Sequence, residues 1–349
     1  MKSTAGGAGV SRTGMRVPLN RTFERDLAQL EAMSGHAIGP EEIDRLRKAL
    51  ANQNNYLVAK AARIVSDHAL TVVLPEVLAA FDRFFDDPVK SDPQCWAKNA
   101  LAKALVKLEC HDAAVYVRGL RHTQDEPAWG GQSDTAGALR GTCTHALVAC
   151  EGLSNAQLLN YLIEALVDRD KTVRMEAARA IGHVGGVSAA LLLKLRILLR
   201  KDEPEVLGAC FSAILDMDEG DRAGSIALIA EFLDAGEESA GEAAFALAET
   251  HDPAALTALI GHRRKGTDAW FTSIIDRAIV LTRLPEAMDF LLTLLEKDPR
   301  QASSILEAIS QVHQSPEIMA RARVTVERAD SERAFEAFRK FFPESSWES

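Results

Sequence analysis

A triad of small or aliphatic residues recurs along most of the chain at helical spacing. It is clearest as Ala177, Ala180 and Ile181. The same pattern returns as Ala61/Ile64/Val65, Leu101/Ala104/Leu105, Cys143/Ala146/Leu147, Cys210/Ala213/Ile214, Ala243/Ala246/Leu247, Ile275/Ala278/Ile279 and Ile305/Ala308/Ile309. Residues at i, i+3 and i+4 share one helix face. The first members lie at 61, 101, 143, 177, 210, 243, 275 and 305, giving steps of 40, 42, 34, 33, 33, 32 and 30. A period in this range describes a supersecondary unit whose apolar faces are covered only by its neighbours.

A second helix is expected between successive triads, beginning near Pro40, Val73, Asp112, Asn155, Ser188, Asp221, Pro253 and Pro285. Most of these residues start helices, by a fixed φ or a side chain that caps free N–H groups. In the best-formed unit, Leu158–Val167 is one helix, an acidic turn with Asp168 and Asp170 follows, and Val173–Val184 is the next. Gly185 and Gly186 then end it. Aromatic residues make up only 6% of the chain, which suits close helix packing better than a β-sandwich. The expected fold is an all-α solenoid of about eight hairpins over residues 40–314. Residues 1–20 read as a tail, 21–39 hold an N-terminal capping helix (Thr22–Ser34), and 315–349 hold C-terminal capping helices (Pro316–Arg328 and Ser331–Phe342).

The Asp-rich turn, Val173-Arg174, Ala177-Ala178 and Ala180-Ile181-Gly182 resemble the short bacterial HEAT repeat found in phycobilisome-lyase-like proteins. The resemblance is strongest over 155–186, continues through 187–314 and is weaker over 40–152. It implies an α-superhelix with second helices lining the concave side, and a binding role. It also implies that Asp168 or Asp170 pairs with an arginine such as Arg174 of an adjacent repeat.

Fifty acidic against forty basic residues give a net charge of −10, which opposes general binding to nucleic acid. The five cysteines form no CxxC and leave an odd one over, so a reducing, cytoplasmic setting is expected. No apolar run is long enough to span a bilayer. The chain has no HExxH, P-loop, GxSxG or dinucleotide fingerprint. Cys143 falls on the repeat's anchor position and reads as core packing. No catalytic, cofactor-binding or metal-ligating residue is assigned.

Two features single out candidate partner-binding residues. Positions one before, two after and six after each anchor share a helix face. In the first four repeats this row contains Lys60, Arg63, Lys103, Lys107, His145, Arg179 and His183, a modestly basic ridge. The next two repeats are acidic there, with Asp216, Glu242 and Glu249. Repeats two and three also carry enlarged turns, Asp86–Pro93 and His122–Asp134, expected on one edge, and the second holds Trp129. A basic run, Gly261–Gly266, reads as a solvated turn. The expected function is a non-enzymatic scaffold or adaptor, monomeric, that binds another protein or an acidic peptide. The alternatives are a DNA alkyl-base glycosylase-like enzyme and a lyase-like or chaperone activity.

Overall fold

The first residue of every triad is fully buried: Ala61, Leu101, Cys143, Ala177, Cys210, Ala243, Ile275 and Ile305 are each 0% exposed. The repeat deduced from spacing is therefore the repeat of the core. The computed structural model describes residues 21–33, 35–217, 221–235, 237–266, 268–312 and 315–343. The tail expected over 1–20 and residues 344–349 lie outside these. The chain is all-α, of the helical-repeat solenoid class, and divides into two compact units.

One unit comprises the described residues up to Cys110 together with His122–Leu139. Its helices are α1 (Arg21–Glu31), α2 (Pro40–Leu50), α3 (Asn55–Asp67), α4 (Leu74–Arg83), the single turn α5 (Pro88–Ser91) and α6 (Trp96–Lys107). The side chain of Asn54 starts α3 by accepting hydrogen bonds from the N–H groups of Tyr56 and Leu57. Helices α3 and α6 pack side by side, and α2 and α4 close the hairpins behind them.

The segment read as a loop around Trp129 is instead a β-hairpin, β1 (Asp125–Ala128) with β2 (Gly131–Asp134). Ala128 pairs with Gly131, so Trp129 and Gly130 form the turn, and Gly130 takes the positive φ of 92° that the turn requires. The strands carry a strongly polar sequence and are held at their root rather than by a hydrophobic face. Glu126 accepts hydrogen bonds from Gln124 Nε2 (2.6 Å), Thr135 Oγ1 (2.8 Å) and the Gln94 N–H (2.7 Å). Gln124 Nε2 also donates to the Asp92 carbonyl at 2.8 Å. The two enlarged turns thus meet, and they are tied together by buried polar groups. Beneath them Asp92 and Lys98, both 0% exposed, form an ion pair at 3.0 Å, with Asp92 also accepting from the N–H groups of Ala97 and Lys98.

The other unit comprises His111–Arg121 and the described residues from Arg140 onward. It contains α7 (Ala113–Leu120), most of α8 (Gly137–Ala146), α9 (Asn155–Leu166), α10 (Lys171–Val184), α11 (Gly186–Leu199), α12 (Pro204–Leu215) and α13 (Arg222–Ala230). It continues with α14 (Glu237–Glu249), α15 (Pro253–Lys265), α16 (Ala269–Leu281), α17 (Pro285–Lys297), α18 (Ala302–Val312), α19 (Pro316–Ala329) and α20 (Glu332–Phe341). Helix α10 packs on α12, α12 on α14, α14 on α16, α16 on α18 and α18 on α20. The C-terminal pair α19–α20 therefore extends the same alternation, with α19 against α17. Gly185 and Gly186, at φ of 68° and 79°, turn the chain from α10 directly into α11. That helix starts at Gly186, close to the expected Ser188.

The resemblance implies that Asp168 or Asp170 pairs with an arginine such as Arg174 of an adjacent repeat; the pairing between repeats is present, but the arginine is Arg140. The Asp168 carboxylate is held bidentately by Arg140 of the preceding repeat, at 2.7 and 2.9 Å. Arg174 reaches forward to Asp202 at 3.0 Å and contacts Glu203, touching Asp168 only through its carbonyl. Asp170 instead caps α10 through the Thr172 N–H. Lys98, Arg140 and Arg174 each stand three residues before an anchor and are each buried in an ion pair. The reading of Gly261–Gly266 as a solvated turn also fails, because residues to Lys265 complete α15. There Arg263 pairs with fully buried Asp276 at 2.6 Å.

Candidate functional site

The predicted basic row separates into two groups, one in each unit. In the first unit Lys60 and Arg63 lie on α3, and Lys103 and Lys107 on α6. Lys60 is half-buried and the other three are exposed. Among the described residues none of the four has an ion pair or hydrogen-bond partner. Asp67 is the carboxylate on the same row of α3, so the face keeps an excess of positive charge.

Two residues that the charge pattern did not flag extend this face. Tyr56 and Trp96, 41% and 51% exposed, meet edge-to-face with ring centroids 5.8 Å apart. Phe23 of α1 adds a ring 6.3 Å from Tyr56. On α3 the exposed row reads Tyr56, Lys60, Arg63, Asp67; on α6 the same offsets give Trp96, Ala100, Lys103, Lys107. Both aromatic residues stand five positions before the anchor, which is the sequence signal that would have found them. The result is an aromatic pair at one end of a face and unpaired cations over the next ~16 Å, at 1.5 Å per residue.

In the second unit the predicted residues are largely neutralised. Arg179 bonds Glu176 at 2.6 Å, and His145 Nδ1 lies 3.7 Å from the other oxygen of the same carboxylate. The rings of His145 and His183 meet edge-on at 6.1 Å. Arg179 and His183 border a groove of about 560 Å³ over α10, α12 and α14, opposite Glu205, Asp216 and Glu242. Gly208 lines it, and a Cβ there would collide with the Glu242 carboxylate. Burial, with repulsion from Glu205 and Glu249, pushes the Glu242 carboxyl above the usual carboxylate range. Lys171 holds Glu205 below that range through a 2.5 Å hydrogen bond. This groove is of mixed charge, so the basic row does not continue through it.

Trp129 stands clear of the rest of the chain at the hairpin tip, 107% exposed, and makes no ring contact with a described residue. Its base is tied by hydrogen bonds to Glu126: burial raises the Glu126 pKa, but the bonds from Gln124, Thr135 and Gln94 outweigh this and hold the carboxyl below its ordinary range. Cys143 is fully buried, as core packing requires. Among the described residues no three His, Cys, Asp or Glu side chains converge in a way that could hold a metal ion. No helix there is long and apolar enough to cross a membrane.

No family model matches the chain, and no curated protein matches it. Among solved structures it is similar to human deoxyhypusine hydroxylase in complex with glycerol, at 16% identity and a TM-score of 0.29. The match covers 75% of this chain and 89% of that one. The expectation of a non-enzymatic scaffold is corrected on this point. That structure is of an enzyme. At this level of similarity the match assigns no activity to this chain. Activity resides in side chains placed on a fold, not in the fold.

Proposed function

We propose that the α3–α6 face binds an acidic peptide segment that also carries an apolar or aromatic anchor residue. The observation supporting this reading is the juxtaposition of four cations without partners and an exposed aromatic pair on one face. Cations on a folded surface ordinarily acquire carboxylate neighbours, as Arg121, Lys171 and Arg200 do here, with Glu164, Glu205 and Glu231. Cations left unpaired in a row attract a chain of opposite charge, and the aromatic pair supplies a contact worth more than a rim charge. The net charge of −10 repels any anion at long range, and repels a polyphosphate more strongly than a short acidic segment with fewer charges. The repeats themselves are assigned to the short HEAT type, a reading supported by steps of 30 to 34 residues from Cys143 onward and by the Arg140–Asp168 and Arg174–Asp202 pairs between repeats.

Fluorescence anisotropy of a labelled Glu-rich peptide containing one Phe tests this. Binding to the full chain should weaken as salt rises. It should drop by about tenfold or more in R63E/K103E. Equal binding by that variant, or tighter binding of a single-stranded oligonucleotide than of the peptide, would overturn the reading.

A further inference from the structure

Helix α11 exposes an apolar stripe that its own fold does not use. Val187, Leu191, Leu195, Leu198 and Leu199 are each between 48% and 74% exposed. They fall at i, i+4, i+8, i+11 and i+12, one face of about 18 Å. The opposite face, with Ala189, Leu193 and Ile197, is fully buried against the stack.

The repeat does not demand leucine at these positions. Leu193 of α11 and Leu291 of α17 are both fully buried and serve as a common reference. Two before, then two, five and six after, α11 has Leu191, Leu195, Leu198 and Leu199. At the same offsets α17 has Asp289, Thr293, Glu296 and Lys297, also exposed. The outward face of a first helix is thus polar in one repeat and mainly aliphatic in another.

Charge indicates what covers it. From Gly186 to Lys201 every charged residue is basic: Lys194, Arg196, Arg200 and Lys201. Arg196 is paired with Asp202, and Arg200 with Glu231. Lys194, within the stripe, and Lys201, at its end, have no partner among the described residues. A second copy docked symmetrically would set this acid-free helix against itself. An anionic bilayer would extend beyond the stripe and meet the net charge of −10, whereas one helix lying along α11 meets the two unpartnered lysines.

We propose that the α11 stripe docks an amphipathic helix of a partner protein, one whose apolar ridge is flanked by carboxylates. Its leucines would lie against the five aliphatic side chains, and its acids would pair with Lys194 and Lys201. This surface is separate from the α3–α6 face, and neither proposal depends on the other.

The test uses the full chain and two labelled helical peptides of about eighteen residues, each with leucines at helical spacing, one flanked by Glu and one by Lys. The Glu-flanked peptide should bind and slow amide exchange along 187–199. L191Q/L195Q should weaken it roughly tenfold with little change in the thermal midpoint, because both side chains are already more than half exposed. K194E should shift preference toward the Lys-flanked peptide. The proposal is overturned if L191Q/L195Q binds as the parent does or if both peptides bind equally. It is also overturned if phosphatidylserine vesicles protect α11 and the Glu-flanked peptide does not, or if α11 is covered by self-association that L195Q abolishes.

Discussion

Tyr56 and Trp96 meet edge-to-face at 5.8 Å, although they are forty residues apart and about half exposed. Each is in the first turn of its helix, five residues before a fully buried anchor, so the stacking of α3 on α6 brings the rings together. Such a pair contributes about 0.5–1.5 kcal/mol beyond its buried area. Y56A or W96A should therefore lower stability by no more than about 1–2 kcal/mol in urea titration. Either should weaken acidic-peptide binding more than K107A does.

Arg140 and Asp168 form a bidentate pair with the guanidinium 2% exposed. Removing one partner strands a buried charge, at a cost of about 3–5 kcal/mol. R140A should lose that much by denaturant unfolding. R140M/D168L should recover most of it, since an apolar pair of similar size removes both desolvated charges.

His262 is 5% exposed, and neither ring nitrogen has a hydrogen-bond partner among the described residues. Burial lowers its pKa; Asp234, 3.3 Å from Nδ1, opposes this, and Lys265 adds to it. The folded value thus lies below the unfolded value of 6.5. Stability from this site is complete above that pH and is lost as pH falls toward the folded pKa, because the unfolded chain takes up the proton first. Between about pH 7.5 and 5.5, H262F should lose less stability than the parent in parallel denaturant titrations.

Burial pushes the thiols of Cys95 and Cys210 up to about 12. Against an ordinary 9.0 that leaves about a thousandfold less thiolate, the reactive form. At pH 8 iodoacetamide should label the half-buried Cys110 and Cys150 and spare Cys95 and Cys210 until the chain unfolds. Peptide mapping by mass spectrometry reads this directly.

The sequence resolved what repeats and left unread what is local. All eight anchors were legible because a buried stripe imposes a period that no exposed residue disturbs. The basic residues of the face were legible from the same period. Their isolation from carboxylates was not, since it depends on distances between helices: Lys171 and Arg121 meet Glu205 and Glu164 of other helices, whereas Arg63 and Lys103 meet no such group among the described residues. The hairpin escaped because Asp125–Asp134 has no alternating apolar pattern; its order comes from Glu126 and Gln124 bonding to Asp92 and Gln94, more than thirty residues earlier. The resemblance implies an arginine of an adjacent repeat for Asp168 and offers Arg174; which arginine it is depends on the stacking of the helices, and it is Arg140. Tyr56 and Trp96 were readable in principle, at a shared offset from the anchor, but only to a search for aromatic as well as charged residues.

Selection of random peptides on the immobilised full chain tests the central claim most directly, because the α3–α6 face then chooses its own ligand. Enrichment of Asp/Glu-rich sequences with an apolar anchor is predicted, with binding lost in K60E/R63E/K103E/K107E and weakened in W96A. Selected peptides without acidic enrichment, or acidic peptides that bind the charge-reversed chain as well as the parent, would contradict it.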